Sequence, residues 1–322
     1  MQPLTTRRGF LAAAAACVAW PARAAGDIGG GKPITLVVSY PAGGGADAMA
    51  RLVAPRMAEA LGQPVIVDNK PGGSGTIAAG QVARAAPDGL TLLFDASSFA
   101  VNPALFPKLP YDNDKSFAPL AVLAQFPNVL VCTPSFEARS VADVVRLARA
   151  QPNSLAYASS GNGSAQHLAG ALFEQLANVK LAHIPYRGGG PALNDVIGGQ
   201  VPLFFANVAS SLGQIQTGRL RALAVTAATR CRALPEVPTM AEAGVQGHEV
   251  QEWNPVLAPA GLPAATRDKL LAAIRRTMAD KDVVARVNML GGEVFAGDPA
   301  QFIKAQQTLW TRVVKERGIT RD

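Results

Sequence analysis

Short apolar runs rich in β-branched residues alternate with longer amphipathic segments along almost the whole chain of 322 residues. Runs such as 34–39 have the length and composition of strands, and 121–123 and 129–133 predict two more, separate strands. Segments such as 47–61 and 165–177 instead repeat apolar residues at helical spacing. Strand and helix in alternation favour open, mostly parallel sheets covered by helices on both faces. The sequence therefore predicts an α/β fold.

Two strand–loop–helix units share a glycine-containing loop after the strand. The first reads SYPAGGGADAMARLVA from Ser39, and the second reads LAYASSGNGSAQHLAGALF from Leu155. In open α/β sheets ligands bind where strands lead into such loops. A helix N-terminus there has unpaired N–H groups and favours an anion, which bare glycines would let approach. One copy near the start and one near the middle predict two lobes that grip a small anion, although one such loop can also be simply a tight turn.

A third glycine-rich loop, DNKPGGSGTIAAG, precedes another helix-like segment. Two interpretations of this loop stay open. Its residues Asn69, Gly72, Gly73, Ser74 and Gly75 could line the cleft. Alternatively, Ser74 or the following threonine could cap the helix.

The first residues, TTRRGFLAAAAACVAWPARAAG from Thr5, have the pattern of an export signal. A twin arginine precedes an apolar run at 10–20 and a small-x-small site, which predicts cleavage after about Ala24 and a periplasmic location. The motif is typical of twin-arginine export, with the general secretory route as the alternative. The run is shorter than the roughly 20 residues that span a bilayer, and a lipoprotein signal at Cys17 would have only alanines before it.

Charge limits the classes of binding partner, and the cysteine content bears on whether a disulfide forms. The formal net charge is +7, but no basic run with interleaved aromatic residues occurs, so nucleic acid is not expected as a partner, whereas a small anion is. Cys132 and Cys231 remain after signal cleavage. An oxidising compartment would permit them to pair, and two buried free thiols are the alternative.

Signatures of catalysis and of metal or cofactor binding are missing from the sequence. GDIGGGKP imitates a phosphate-binding loop, but Pro33 stands where Ser or Thr would hold magnesium. The chain lacks G-x-G-x-x-G and G-x-S-x-G spacing, and its three histidines have no metal-site spacing. We therefore expect no catalytic residue, metal or cofactor. An exported α/β protein with anion-gripping loops and no catalytic group is most simply a binding protein.

Several stretches in collinear order, from Pro33 to about Ile319, carry a family resemblance. They include PITLVVSYPAGGGADAMARLVA, LGQPVIVDNKPGGSGTIAAGQVARAAPDGLTLL, YASSGNGSAQHLAGALF, IPYRGGGPALNDVIGGQV and LAPAGLP. The chain resembles the tripartite tricarboxylate transporter substrate-binding family, the Bug or TctC-like solute-binding proteins. The resemblance implies a two-lobed, type II-like periplasmic binding protein. Such a protein would act as a monomer, capture a small mono- or dicarboxylate and deliver it to the membrane permease subunits of a tripartite tricarboxylate transporter.

The resemblance also implies a domain division. After the signal at 1–24, residues 33–124 and 253–322 would form lobe 1, and residues 125–252 would form lobe 2. The chain would cross between the lobes near Val129 and Val256. Trp253 matches a frequent tryptophan at the second crossing, where core packing is the alternative interpretation.

By position, the resemblance implies a ligand site built from several loops. The implied ligand-binding residues are Tyr40, Ala42, Gly43, Gly44, Gly45, Ala46, Asp47, Ser98, Ser159, Gly161, Asn162, Gly163, Ser164, His167, Tyr186, Arg187, Gly188 and Asn207. His167 has the alternative of a helix-surface or capping residue, and Arg187 that of a solvated surface arginine.

The sequence departs from the family pattern at a few of these loops. Ala42 replaces a frequent proline and Ala46 a hydroxyl residue. Ala206 replaces a carboxylate, and Asp95 places a carboxylate where a small or hydroxyl residue is more usual. Two rival functions stay open, an exported enzyme using His167 or Asp47 as a base, and an adaptor that docks on a membrane sensor when loaded with ligand.

Overall fold

A computed structural model describes residues 27–320, so the predicted export signal lies outside the described residues. The strands are β1 (Ile34–Val38), β2 (Val65–Asn69), β3 (Thr91–Phe94), β4 (Phe117–Cys132), β5 (Ala156–Ser159), β6 (Ala182–Pro185), β7 (Leu203–Asn207), β8 (Arg221–Val225), β9 (Gln251–Pro259) and β10 (Glu293–Val294). The helices are α1 (Gly45–Leu61), α2 (Thr76–Val82), α3 (Ser98–Leu105), α4 (Val141–Ala150), α5 (Ala165–Leu176), α6 (Gly189–Ile197), α7 (Val208–Gln216), α8 (Ala264–Ala279), α9 (Lys281–Met289) and α10 (Pro299–Arg317).

The strands form one curled sheet in the order β2-β1-β3-β9-β4-β7-β5-β6. On one side β1 runs parallel to β2 and β3, and on the other β5 runs parallel to β6 and β7. Between these groups β4 and β9 pair antiparallel. We call β2, β1, β3, β9 and the β9-paired part of β4 the first half, and the rest of β4 with β7, β5, β6 and β8 the second half. The predicted α/β, two-lobed architecture is confirmed.

Strand β4 differs from the prediction because it is continuous where two strands were expected. Phe117–Pro127 pairs with β9, and Asn128–Cys132 pairs with β7 and β8. Pro127, which makes the sequence look interrupted, lies where the strand changes partners, and there the loss of one N–H donor is tolerated. One strand therefore runs through both halves.

Helix α3 was not predicted. Its sequence, SFAVNPAL, is short, mostly apolar and contains Pro103, so it shows no helical period. It forms because α10 packs against it, and because Val101 and Leu105 share a core cluster with Trp310 and Val314. Tertiary packing thus overrides a weak local signal.

The apolar face predicted for α1 is buried along its centre, whereas Leu176, at the end of the face predicted for α5, is 39% exposed. In α1, Met49, Val53 and Met57 are at most 1% exposed and pack in one cluster with strand residues such as Leu36. The helix ends at Gly62, whose φ of 68° is a left-handed cap that suits glycine. Among the described residues, no helix is both long and apolar enough to cross a membrane.

Cys132 and Cys231 are both buried, and neither is in a disulfide. Burial raises the pKa of each thiol above its usual value. Of the two interpretations of this pair, the structure therefore supports buried, free side chains.

Close packing of α5 on β5 gives a test of the fold. A Cβ atom on Gly170 would overlap the ring of Tyr157, whereas one on Gly213, an exposed position of α7, would meet nothing within 4 Å. We expect Gly170→Ala to lower the free energy of unfolding by about 1–3 kcal/mol through overpacking. Gly213→Ala should raise it by about 0.5–1 kcal/mol through helix propensity. Urea titration monitored by circular dichroism measures both, and equal effects would contradict the packing.

Candidate functional site

A cavity of about 400 Å³ lies between the two halves, where loops that follow parallel strands converge. A larger, open groove of about 990 Å³ beside α10 has no residue from the predicted ligand loops, so the cavity is the better candidate. The residues lining the cavity are Ser39, Tyr40, Pro41, Pro71, Gly72, Gly73, Ser74, Gly75, Phe106, Ser160, Gly161, Asn162, Pro185, Tyr186 and Arg187.

Five predicted ligand residues line this cavity, namely Tyr40, Gly161, Asn162, Tyr186 and Arg187. The other thirteen predicted residues are not among those that line it. They are Ala42, Gly43, Gly44, Gly45, Ala46, Asp47, Ser98, Ser159, Gly163, Ser164, His167, Gly188 and Asn207. The assignment of ligand contacts to these residues stays a prediction.

The first-half wall is held by buried hydroxyl and carboxyl groups. Tyr40 donates its phenol hydrogen to Ser98 Oγ at 2.9 Å, and burial together with the nearby Glu252 and Asp95 carboxyls raises the pKa of Tyr40. Ser39 donates to Asp95, which is fully buried. Burial also raises the pKa of Asp95, to about 7. This wall therefore presents hydroxyl groups backed by acids.

The N-terminus of α1 follows the first loop and is anchored by its own aspartate. Gly43 donates its N–H to Asp47 Oδ2 at 3.0 Å, and Arg51 and Asn69 also bond this carboxylate. Although burial alone would raise the pKa of Asp47, these hydrogen bonds hold it below its usual value. No described side chain caps α1 at Gly44, and of the first loop only Ser39, Tyr40 and Pro41 line the cavity.

The second predicted loop uses its amides internally. Gly161 N–H donates to Ser159 Oγ at 3.1 Å, and Gly163 N–H donates to His167 Nδ1 at 3.0 Å. Ser164 caps α5 by accepting the N–H of His167. The polar groups predicted to face an anion therefore stabilise the loop, and only Gly161 and Asn162 of this stretch, with the neighbouring Ser160, line the cavity.

Two histidines support that loop from behind. The rings of His167 and His183 stack with centroids 4.1 Å apart, and His183 Nε2 lies 2.6 Å from Ser159 Oγ. Burial lowers the pKa of His167 to about 4, and burial with repulsion from His167 lowers that of His183 to about 3. Both rings are thus neutral near pH 7, and His167 is already engaged as an acceptor.

The helix N-terminus that approaches the first loop across the cavity belongs to α6. A Cβ on Gly188 would overlap the Pro41 ring, and one on Gly190 would lie 3.8 Å from the Ala42 carbonyl oxygen. Gly188 has a φ of 125°, and no described side chain caps α6. The second-half helix N-terminus that lies against the first loop is therefore that of α6, whereas the sequence predicts that of α5.

The third loop lines the cavity. Gly72, Gly73, Ser74 and Gly75 all contribute to the wall. No described side chain caps α2, since the hydroxyl of Thr76 bonds the Gly73 carbonyl at 2.8 Å instead. Of the two interpretations left open for this loop, lining the cavity is the one the structure supports.

Direct contacts join the halves around the cavity. Ser74 of the first half donates its hydroxyl hydrogen to the Asn162 carbonyl of the second half, and within the first half Asn102 donates to the Ser74 carbonyl at 2.9 Å. Asn207 caps α7 and lies against Gly45, where an added Cβ would be 3.1 Å from its side-chain amide. These contacts describe a closed arrangement of the two halves.

Sequence reasoning missed the apolar part of the wall. Pro41, Pro71, Phe106 and Pro185 line the cavity beside the hydroxyl groups. Pro41 and Pro185 stand at the carboxyl ends of parallel strands, which is the signal that could have identified them. Trp253 is 1% exposed and contacts Phe302 edge to face at 5.2 Å, so its core-packing interpretation is the one the structure supports.

Comparisons with known proteins agree on one family. The model of the Tripartite tricarboxylate transporter family receptor matches residues 49–319. The structure of the periplasmic binding protein BugD is 33% identical with a TM-score of 0.86, covering 90% of this chain and 99% of that one. R. palustris Rpa4515 with adipate is 34% identical with a TM-score of 0.87, covering 94% and 99%. MatC from Rhodopseudomonas palustris with bound malate is 34% identical with a TM-score of 0.83, covering 88% and 99%.

The stacked histidines predict a pH dependence of stability. The pKa of His167 falls from 6.5 to about 4 on folding, so between these values the unfolded chain binds a proton that the folded chain does not. The free energy of unfolding should therefore fall as pH drops from about 6.5 to about 4. His167→Asn, whose amide oxygen can replace Nδ1 as acceptor, should reduce that fall by on the order of 2 kcal/mol. Urea titrations at pH 7 and pH 4.5 measure it, and identical falls would contradict the buried, neutral ring.

Proposed function

The chain belongs to the tripartite tricarboxylate transporter receptor family, and from this premise we propose that it is a periplasmic solute-binding receptor. Its ligand is a small organic carboxylate held in the cavity between the halves. The observation that carries the proposal is the cavity itself. Hydroxyl groups, glycine loops and Arg187 surround it, and the loops come from both halves.

The chemistry of the wall suits a small acid with a short apolar body. Arg187 lines the cavity and supplies a cation, and Ser160 brings a hydroxyl group to the same wall, whereas the phenol hydrogen of Tyr40 is already donated to Ser98. Phe106 and the proline rings offer apolar surface to the ligand's carbon chain. Charge-assisted hydrogen bonds contribute roughly 1.5–3 kcal/mol each, so several of them can give micromolar binding. Relatives with adipate and with malate are consistent with this size and charge.

We propose that the lobes follow the division 33–124 with 253–322 and 125–252. Strand β4 changes partners after Pro127, and β9 begins at Gln251. Both connections therefore lie in adjacent antiparallel strands, which suits a hinge. Opening about these strands would separate the contacts between Ser74 and Asn162 and admit the ligand.

The proposed partner is the membrane permease of a tripartite transporter, reached in the periplasm after cleavage of the signal. The chain is proposed to act without catalysis. His167 is neutral and hydrogen-bonded, and Asp47 is paired with Arg51, so neither candidate base of the enzyme hypothesis is available to abstract a proton. Within the described residues, no group of three His, Cys, Asp or Glu side chains could hold a metal ion.

The direct test is to purify the protein from the periplasm, unfold it and identify any small acid released by mass spectrometry. Thermal unfolding with adipate, malate and monocarboxylates follows. A ligand at a hundred times its dissociation constant adds about 2.7 kcal/mol of stability. Turnover of a bound acid would exclude a receptor without catalysis, and failure of every carboxylate to bind would refute the proposed ligand class.

Arg187 provides the first mutational prediction. It is an exposed residue at the cavity wall, and Arg219 is an exposed arginine outside the cavity lining. We expect Arg187→Ala to weaken the binding of the preferred acid by roughly 10- to 100-fold, the loss of one charge-assisted hydrogen bond. Arg219→Ala should bind as the parent does. Isothermal titration calorimetry measures both affinities, and an unchanged affinity in Arg187→Ala would remove this residue from the site.

Gly188 provides the second prediction. Gly188 and Gly199 both have left-handed φ angles, of 125° and 75°, so alanine should cost each about 1 kcal/mol of stability. Only at Gly188 would the new Cβ overlap Pro41 of the other half. Gly188→Ala should therefore also weaken ligand binding more than about tenfold by hindering closure. Isothermal titration calorimetry measures the ligand affinity of both variants. Equal affinities would argue against closure of the halves at the contact between Gly188 and Pro41.

A further inference from the structure

Glu252 lies at the start of β9 and is 7% exposed. Its Oε1 atom accepts two hydrogen bonds from Ser97, one from the backbone N–H at 2.9 Å and one from the hydroxyl at 3.2 Å. Its Oε2 atom accepts a third from Gln166 Nε2 at 3.4 Å. One carboxylate therefore bonds a residue of the first half and a residue of the second.

Ser97 and Gln166 each lie next to residues that form or support the cavity wall. Ser97 precedes α3, whose first residue, Ser98, accepts the hydrogen bond of Tyr40 at 2.9 Å. Gln166 lies in the first turn of α5, directly after the loop that carries Gly161 and Asn162 into the cavity. Glu252 thus connects the two walls from behind, on the hinge side of the cavity.

The charge environment sets this carboxylate apart from an ordinary ion pair. In the described part of the chain, neither Glu252 nor the nearby Asp95 forms a salt bridge, and the other titratable groups that interact with them are Tyr40 and Tyr111. Burial raises the pKa of Glu252, against the hydrogen bonds from Ser97 and Gln166 that lower it. A buried carboxyl group without a cation depends on its hydrogen-bond donors.

Opening the lobes would change that set of donors. Glu252 lies at the crossing between the lobes, so on opening Gln166 would move with residues 125–252 while Ser97 would stay with residues 33–124, and the carboxylate could not keep both donors. A group whose hydrogen bonds differ between two conformations shifts the equilibrium between them. Gln166 also donates to Asn128 Oδ1 at 2.9 Å, so its amide is already oriented toward Glu252 in the closed arrangement.

We infer that Glu252 is a positioning residue that holds the two walls of the cavity together and so sets the closed population and the ligand affinity. The inference rests on the proposed receptor function and its two-lobe division. It does not require Glu252 to touch the ligand, since this residue acts through Ser97 and Gln166.

Glu252→Gln is the decisive variant because it disrupts the hydrogen bond to Gln166 and keeps those to Ser97. Its amide oxygen can still accept both bonds from Ser97. Its amide nitrogen, however, would face the Nε2 donor of Gln166, which can turn away only by losing its bond to Asn128. The matched control is Glu249→Gln, the same change at an exposed glutamate three residues earlier.

Electron paramagnetic resonance distances between spin labels report the closed population. Labels are placed on Glu59→Cys in α1 and Gln200→Cys after α6, both exposed, with every native cysteine replaced by alanine. The full chain is expressed and the protein purified from the periplasm. Spectra are recorded without ligand and with saturating adipate or malate, whose affinities are measured separately.

Glu252→Gln should lower the ratio of short to long distances in the ligand-free protein by at least about fivefold, and weaken acid binding by a similar factor. Glu249→Gln should match the parent. If Glu252→Gln does not fold, Gln166→Ala, which removes the donor from the other side, should give the same shift.

Equal distance distributions in the parent and the variant, an equal shift in the control, or no short-distance population in the parent under any condition would overturn the inference. If no acid binds, the receptor proposal fails, but the ligand-free distances still decide the role of Glu252.

Discussion

The continuity of strand β4 is the constraint on which the rest of the molecule depends. Its first part is hydrogen-bonded to β9 and its last part to β7 and β8, so one strand belongs to both halves of the sheet. The parallel strands on either side are fixed relative to this strand, and their carboxyl ends direct the loops toward a shared cavity. A break in β4 would remove the strand that both halves share and leave their relation to side-chain and loop contacts.

The glycine-containing loops beside the cavity use their backbone amides in different ways. At α1 and α6, glycine-rich loops end in helix N-termini that no described side chain caps. At α5, the corresponding amides are bonded within the loop to Ser159 and His167. A helix dipole favours an anion only where its N–H groups remain accessible. Similar strand–loop–helix units therefore differ in how their loop amides are bonded, to Asp47 before α1 and to Ser159 and His167 before α5.

Buried acids behind an anion site shape the electrostatics of the cleft. Asp95 and Glu252 are backed by hydroxyl and amide donors, with no salt bridge to either in the described chain. Asp95 Oδ2 has no hydrogen-bond partner among the described residues. Because burial disfavours the charged form, the pKa of each acid is raised, which reduces the repulsion that a bound carboxylate would meet. The wall can therefore contain acids and still suit an anionic ligand.

The sequence by itself determined the α/β class, most helices and strands, the glycine loops and the family, because hydrophobic periodicity and turn residues are local signals. Only the tertiary structure decided that β4 is continuous, that SFAVNPAL is a helix and that α6, not α5, faces the first loop. It also placed Phe106 in the wall and Ser97 and Gln166 on either side of Glu252. These features depend on contacts between residues far apart in the chain, such as Gly188 with Pro41, and no local pattern encodes which distant neighbour a side chain will meet.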